Sequence, residues 1–168
     1  ECATGAIAGS GGVIKANASG HSPSNHFFYG CIFDATDTGH CLHMTGGGNI
    51  LNVKVNATWF ASAGQMVGTS NGNGLRFDAA VWAGGEISGC NFYNTRGTGL
   101  FIDTSAAGIP ITGNSFNSCG LGNGAGNNDG IYIDVSLNTP GPVICGNIES
   151  GAAPGSSIKT SATANRLV

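Results

Sequence analysis

Residues 98–104 read TGLFIDT, and the same phrase stands at 73–79 as NGLRFDA and at 129–135 as DGIYIDV. Each copy is Gly, apolar, variable, apolar, Asp, so apolar residues alternate with others over a few positions. That period of two marks a short β-strand with one face toward a core. Looser copies stand at 39–45 (GHCLHMT) and 156–161 (SSIKTS). Between the copies runs a second phrase: FFYGCIF from 27, NVKVNATWF from 52, EISGCNF from 86, IPITGNSF from 109 and PVICGNI from 142. The two phrases alternate along the chain, which makes each pair one repeat of two strands. Matching glycines recur at steps of 25 and 31 residues (Gly74, Gly99, Gly130) and of 24 and 33 residues (Gly89, Gly113, Gly146). Periods of about 20 to 50 residues signal stacked repeats in which each unit buries its apolar face against its neighbours.

Composition agrees with a stacked, turn-rich chain. Of 168 residues, 30 are Gly and only 9% are charged, far below the roughly 25% of an ordinary domain. Turn residues follow each strand (GTSNGNG, NTRGTG, GLGNGAGNNDG, NTPGP), and no stretch carries a helical stripe. A net charge of −3 with six Lys and Arg leaves no basic footprint for nucleic acid. No apolar run approaches the ~20 residues of a membrane span, so no membrane insertion is expected. The opening ECATGAIAGSGG has neither a Met start nor a basic leader, so residue 1 reads as a cut or processing point. The six Cys match no zinc spacing and read as buried reduced thiols, with disulfides of a secreted protein as the alternative. No metal or cofactor is expected.

The phrases ISGCNF, ITGNSF and ICGNI, each followed by a Gly-apolar strand, resemble the repeats of the right-handed parallel β-helix family of pectate-lyase-like proteins and phage tailspikes. The resemblance covers about residues 27–162. It implies an all-β fold, a right-handed single-stranded parallel β-helix of about five coils. Residues 27–168 form that domain, and residues 1–26 are an N-terminal segment or incomplete first coil. Such a fold hosts lyases, hydrolases and non-enzymatic spikes, so function has to be read from the site.

With Leu100 and Ile102 pointing inward, their mates are Leu75 and Phe77, Ile131 and Ile133, Ile158 and Thr160, and Leu42 and Met44. The outward column is then His43, Arg76, Phe101, Tyr132 and Lys159, and the next is Thr45, Asp78, Asp103, Asp134 and Ser161. At an inter-strand spacing of about 4.8 Å, the three aspartates stand in line, roughly 5 Å between neighbours. Like charges placed opposite one another destabilise a sheet, and a raised pKa on one of them supplies a general acid. Glycosidases use carboxylate pairs about 5 Å apart for retention and about 6.5 to 9.5 Å apart for inversion. Asp78, Asp103 and Asp134 are therefore the candidate catalytic residues of an endoglycosidase-type depolymerase. Phe101 and Tyr132 offer apolar faces to sugar rings, with Arg76 and Lys159 as donors. The competing scaffold reading has each Asp capping the turn after its strand. Four histidines (His21, His26, His40, His43) lack carboxylates at metal-ligand spacing and read as polar surface. Trp59, Phe60, Trp82 and Phe92 read as core or subunit interface. A pectate-type lyase would call for a calcium-binding acidic cluster, which the sequence lacks.

The expected protein is the β-helical shaft of a phage tailspike or virion fibre that binds bacterial cell-surface polysaccharide, with hydrolysis as an open second activity. The resemblance implies a homotrimer that meets other virion tail proteins after assembly in the host cytoplasm. The alternatives are a non-enzymatic structural spike and a secreted monomeric polysaccharide-degrading enzyme.

Overall fold

The computed structural model describes residues 12–15, 22–36, 38–65, 72–104, 106, 108–122, 131–133, 142–151 and 158–160, of which 13–15, 132–133 and 158–160 are described as backbone only. These residues form strands and turns and contain no helix. In chain order the strands are β1 (Gly12–Lys15), β2 (Ser24–Tyr29), β3 (Ile32–Asp34); β4 (Leu42–Thr45), β5 (Asn49–Asn56), β6 (Trp59–Ala61); β7 (Leu75–Phe77), β8 (Val81–Ser88), β9 (Asn91–Tyr93); β10 (Leu100–Ile102), β11 (Pro110–Thr112), β12 (Ser115–Asn117); β13 (Ile131–Ile133), β14 (Val143–Cys145), β15 (Ile148–Ser150); and β16 (Ile158–Thr160).

Successive strands enter three sheets in strict rotation. Sheet A runs β1-β4-β7-β10-β13-β16, sheet B runs β2-β5-β8-β11-β14, and sheet C runs β3-β6-β9-β12-β15. Every third strand therefore pairs with the one three places earlier, always in parallel. The sequence phrases predict two strands per repeat, and the structure has three. The second phrase is split by a bend at Gly30, Ala57, Gly89, Gly113 and Gly146, all at φ between 48° and 64°. Glycine suits that left-handed conformation because it has no Cβ to clash. A second bend, at Ala35, Ser62, Asn94, Ser118 and Gly151, has φ between 51° and 68° and carries the chain out of sheet C.

Each bend has its own hydrogen bonds. With each set of three successive strands called a round, the first bend's N–H donates to the carbonyl of the next round: Gly30 to Asn56, Ala57 to Ser88, Gly89 to Thr112 and Gly113 to Cys145, at 3.1–3.3 Å. The side chain that follows the bend reaches the round before. Thr58 Oγ1 donates to the Phe28 carbonyl, Cys90 Sγ to Val55, Asn114 Nδ2 to Ile87 and Asn147 Nδ2 to Ile111. Those four acceptors are one register column of sheet B. The slot tolerates Thr, Cys or Asn because each is a short donor, and the carbonyls it satisfies would be costly to leave unpaired.

The inward columns expected for sheet A hold from Leu42 to Ile131, while the side chains of Ile133, Ile158 and Thr160 lie outside the described residues. Register pairs Leu42 with Leu75, Leu75 with Leu100, and Leu100 with Ile131, while Met44, Phe77 and Ile102 form the second line. All of these are buried. Sheet C supplies an unbroken ring stack. Phe33 and Phe60 lie 5.3 Å apart, Phe60 and Phe92 5.0 Å, and Phe92 and Phe116 4.6 Å, with planes within 9° of parallel. One hydrophobic cluster takes side chains from all three sheets, including Trp82 and Ile87 of sheet B.

Candidate functional site

The outward face of sheet A is set by the same alternation that buries its other face. Between Leu75 and Phe77 the chain must turn Arg76 outward, and register places Val13, His43, Arg76, Phe101, Tyr132 and Lys159 in one backbone column. Within it, the Arg76 guanidinium carbon stands 4.5 Å from the centre of the Phe101 ring. A planar cation over an aromatic face is attracted by the ring quadrupole and keeps its N–H edge open.

Asp78 follows β7 and is the best-tied carboxylate among the described residues. Arg76 Nε donates to its Oδ2 at 2.7 Å, and its Oδ1 lies 2.9 Å from His43 Nε2. Thr45, in the same column one round earlier, adds a hydrogen bond. Burial alone would push the carboxyl up, yet the hydrogen bonds from Thr45, Arg76 and His43, with the charge of His43 when that ring is protonated, outweigh it and hold Asp78 below its ordinary value of 3.8. The like-charge crowding expected to raise a carboxyl in this column is offset at Asp78 by the Arg76 guanidinium and by the hydrogen bonds it accepts. Asp78 is thus an anion at neutral pH and is not a proton donor.

Asp103 stands one round further on, its N–H donating to the Phe77 carbonyl at 2.8 Å as that of Asp78 does to Met44 at 2.9 Å. Asp134 lies outside the described residues. Tyr132 and Lys159 hold their column positions as backbone, and their side chains are not described.

The depressed Asp78 carboxyl carries a linkage consequence. Its contribution to stability is present above the ordinary carboxylate value and is lost as pH falls through the lowered folded value. Asp78→Asn should therefore be less stable than the parent near neutral pH, with the gap closing below about pH 4. Urea denaturation across that range measures it, and a gap independent of pH would contradict the ion pairing.

Other candidates separate cleanly. Phe60, Trp82 and Phe92 are core, whereas Trp59 is 38% exposed on the outer face of sheet C, 5.8 Å from the ring of Tyr93. Cys41, Cys90, Cys119 and Cys145 are free thiols. Burial pushes Cys41 up to about 12, with the charge of Asp34 adding to it, and pushes Cys90 and Cys119 up to about 11. Such thiols hold almost no thiolate at neutral pH and are poor nucleophiles. Among the described residues no three His, Cys, Asp or Glu gather as a metal site. The sequence placed His43 on the outward column but read it as plain polar surface. Its register partner Arg76 was the available sign that it stands next to the aspartate column.

Comparison of the chain with protein-family models, curated proteins and solved structures finds no match.

Proposed function

We propose that the chain winds as a right-handed parallel β-helix of about five coils and serves as the shaft of a phage tailspike or related virion fibre, with the outward face of sheet A laid along a bacterial surface polysaccharide. The three-sheet rotation supports the winding, because a chain that returns to the same sheet every third strand needs only turns between strands. The hand, the homotrimer and the contacts with other tail proteins rest on the sequence resemblance. Free thiols support assembly in a reducing compartment such as the host cytoplasm.

The observation that carries the glycan reading is the Arg76–Phe101 stack in a straight outward column. An aromatic face for the apolar side of a sugar ring, beside fixed donors, is the usual composition of a polar-ligand site. Binding is better supported than hydrolysis by the aspartates. Asp78 is tied as an anion and leaves the acid role, if there is one, to Asp103 or Asp134.

Retention of capsular and O-antigen polysaccharides by the immobilised protein tests this. Phe101→Ala should weaken retention about tenfold, the ~1.4 kcal/mol of one good contact, and Trp59→Ala on sheet C should leave it unchanged. Equal retention in both variants would remove sheet A as the binding face. Appearance of shortened chains with new saturated reducing ends would restore the depolymerase reading.

A further inference from the structure

Because Asp78 is an anion, it determines where the proton sits on its neighbour. An ionised carboxylate only accepts hydrogen bonds, so the 2.9 Å contact with His43 requires the proton on Nε2. In the neutral form of the ring that proton leaves the lone pair on Nδ1, which has no hydrogen-bond partner among the described residues. The ring is also held from the side. His40 packs edge-on against it at 4.9 Å and 79°, and His40 is oriented in turn by the N–H of Asn73, which donates to its Nδ1 at 3.1 Å. The His43 side chain keeps 21% of its surface open. An oriented, partly exposed imidazole backed by a carboxylate that does not take the proton itself is how Asp–His pairs prepare a general base. Next to it, Arg76 spends Nε on Asp78 and retains its two NH2 groups as donors.

We infer that this face carries an esterase: His43 is the general base that removes O-acyl groups from the polysaccharide on sheet A, an inference that rests on the glycan reading above. His43 Nδ1 takes a proton from a water molecule as that water's oxygen bonds to the acyl carbonyl carbon. The carbonyl electron pair moves to oxygen, where the Arg76 NH2 groups meet the developing charge. Collapse re-forms the carbonyl and breaks the bond to the sugar oxygen, which leaves with the proton carried by His43. Ester and water become carboxylic acid and free sugar hydroxyl, and the imidazole returns to its starting state. Water is the nucleophile because the Thr45 hydroxyl is committed to Asp78. His43 is the catalytic residue, and Asp78 is a positioning residue.

The full chain assayed on p-nitrophenyl acetate tests the step. The parent should release p-nitrophenolate faster than buffer, and His43→Gln should lower that rate on the order of a hundredfold, the weight of one general base. His26→Gln should leave it unchanged. Glutamine can still donate to Asp78, and matching melting curves confirm the fold. Asp78→Asn should lower kcat with KM unaltered, a split that general loosening of the face would not give. A parent no faster than buffer, or His43→Gln as fast as the parent, overturns the esterase. Polysaccharide retention is read separately on the same samples. A chain that retains glycan without cleaving the ester refutes the esterase alone, and one that cleaves the ester without retaining glycan refutes the glycan reading alone.

Discussion

Phe92→Ala is expected to cost about 3 to 5 kcal/mol of unfolding free energy, seen as a large drop in the urea midpoint. Phe92 is 1% exposed and sits in the middle of the sheet C stack, with Phe60 on one side and Phe116 on the other. Truncation removes both ring contacts and opens a cavity that neighbours on separate strands are poorly placed to fill. The chain also approaches this ring closely at Gly74, where a Cβ would stand 2.8 Å from Phe92 Cδ1. Tyr93→Ala is the internal control. Tyr93 is the next residue, 43% exposed on the opposite face, and its loss should cost less than about 1 kcal/mol. Against a typical stability of about 5 to 15 kcal/mol, the first change threatens folding and the second does not. Equal effects would mean that the phenylalanine column is not the core.

Gly85→Ala is expected to cost about 3 kcal/mol or more, combining backbone strain with overpacking. Gly85 has φ +105°, and an added Cβ would lie 1.8 Å from the Val53 carbonyl oxygen of the neighbouring strand. No rotamer relieves that clash, because a Cβ position is fixed by the backbone; β5 and β8 would have to part. Gly113→Ala provides the contrast. Gly113 also has positive φ, at +64°, but a Cβ there meets nothing within 4 Å, and Ala57 already occupies the equivalent bend at φ 48°. Its cost should be about 1 kcal/mol or less. Thermal unfolding of the two variants would separate close approach from simple turn strain, and similar melting temperatures would contradict the packing at Gly85.

What the sequence made legible, and what it hid, follows from where glycine and alternation occur. The sheet A columns were readable because Gly74, Gly99 and Gly130 align apolar residues that alternate strictly. The splitting of the second phrase was not, because a bend such as Ser88-Gly89-Cys90 interrupts alternation by only a few residues and leaves one apparent strand. The exit from sheet C was hidden for the opposite reason, since Ala35, Ser62, Asn94 and Ser118 adopt positive φ without a glycine to announce it. β1 was missed because GVIK carries too few alternating positions to stand out. At the site, register alone placed Arg76 next to Phe101. The His43–Asp78 contact joins different columns across 35 residues and depends on side-chain rotamers, which no sequence period encodes.

The rotation of strands through three sheets also bears on how such a chain can change over evolutionary time. Among the described residues each strand pairs only with the strands three places before and after it, so the pairing itself does not depend on how many three-strand repeats exist. Removing or duplicating one complete round would leave every surviving strand in its own sheet, with the phase of its inward residues intact. Length becomes adjustable in whole units by recombination between repeats, without redesigning a core. An insertion confined to one turn lengthens that turn alone, which leaves the turns free to diversify while the sheets keep their register.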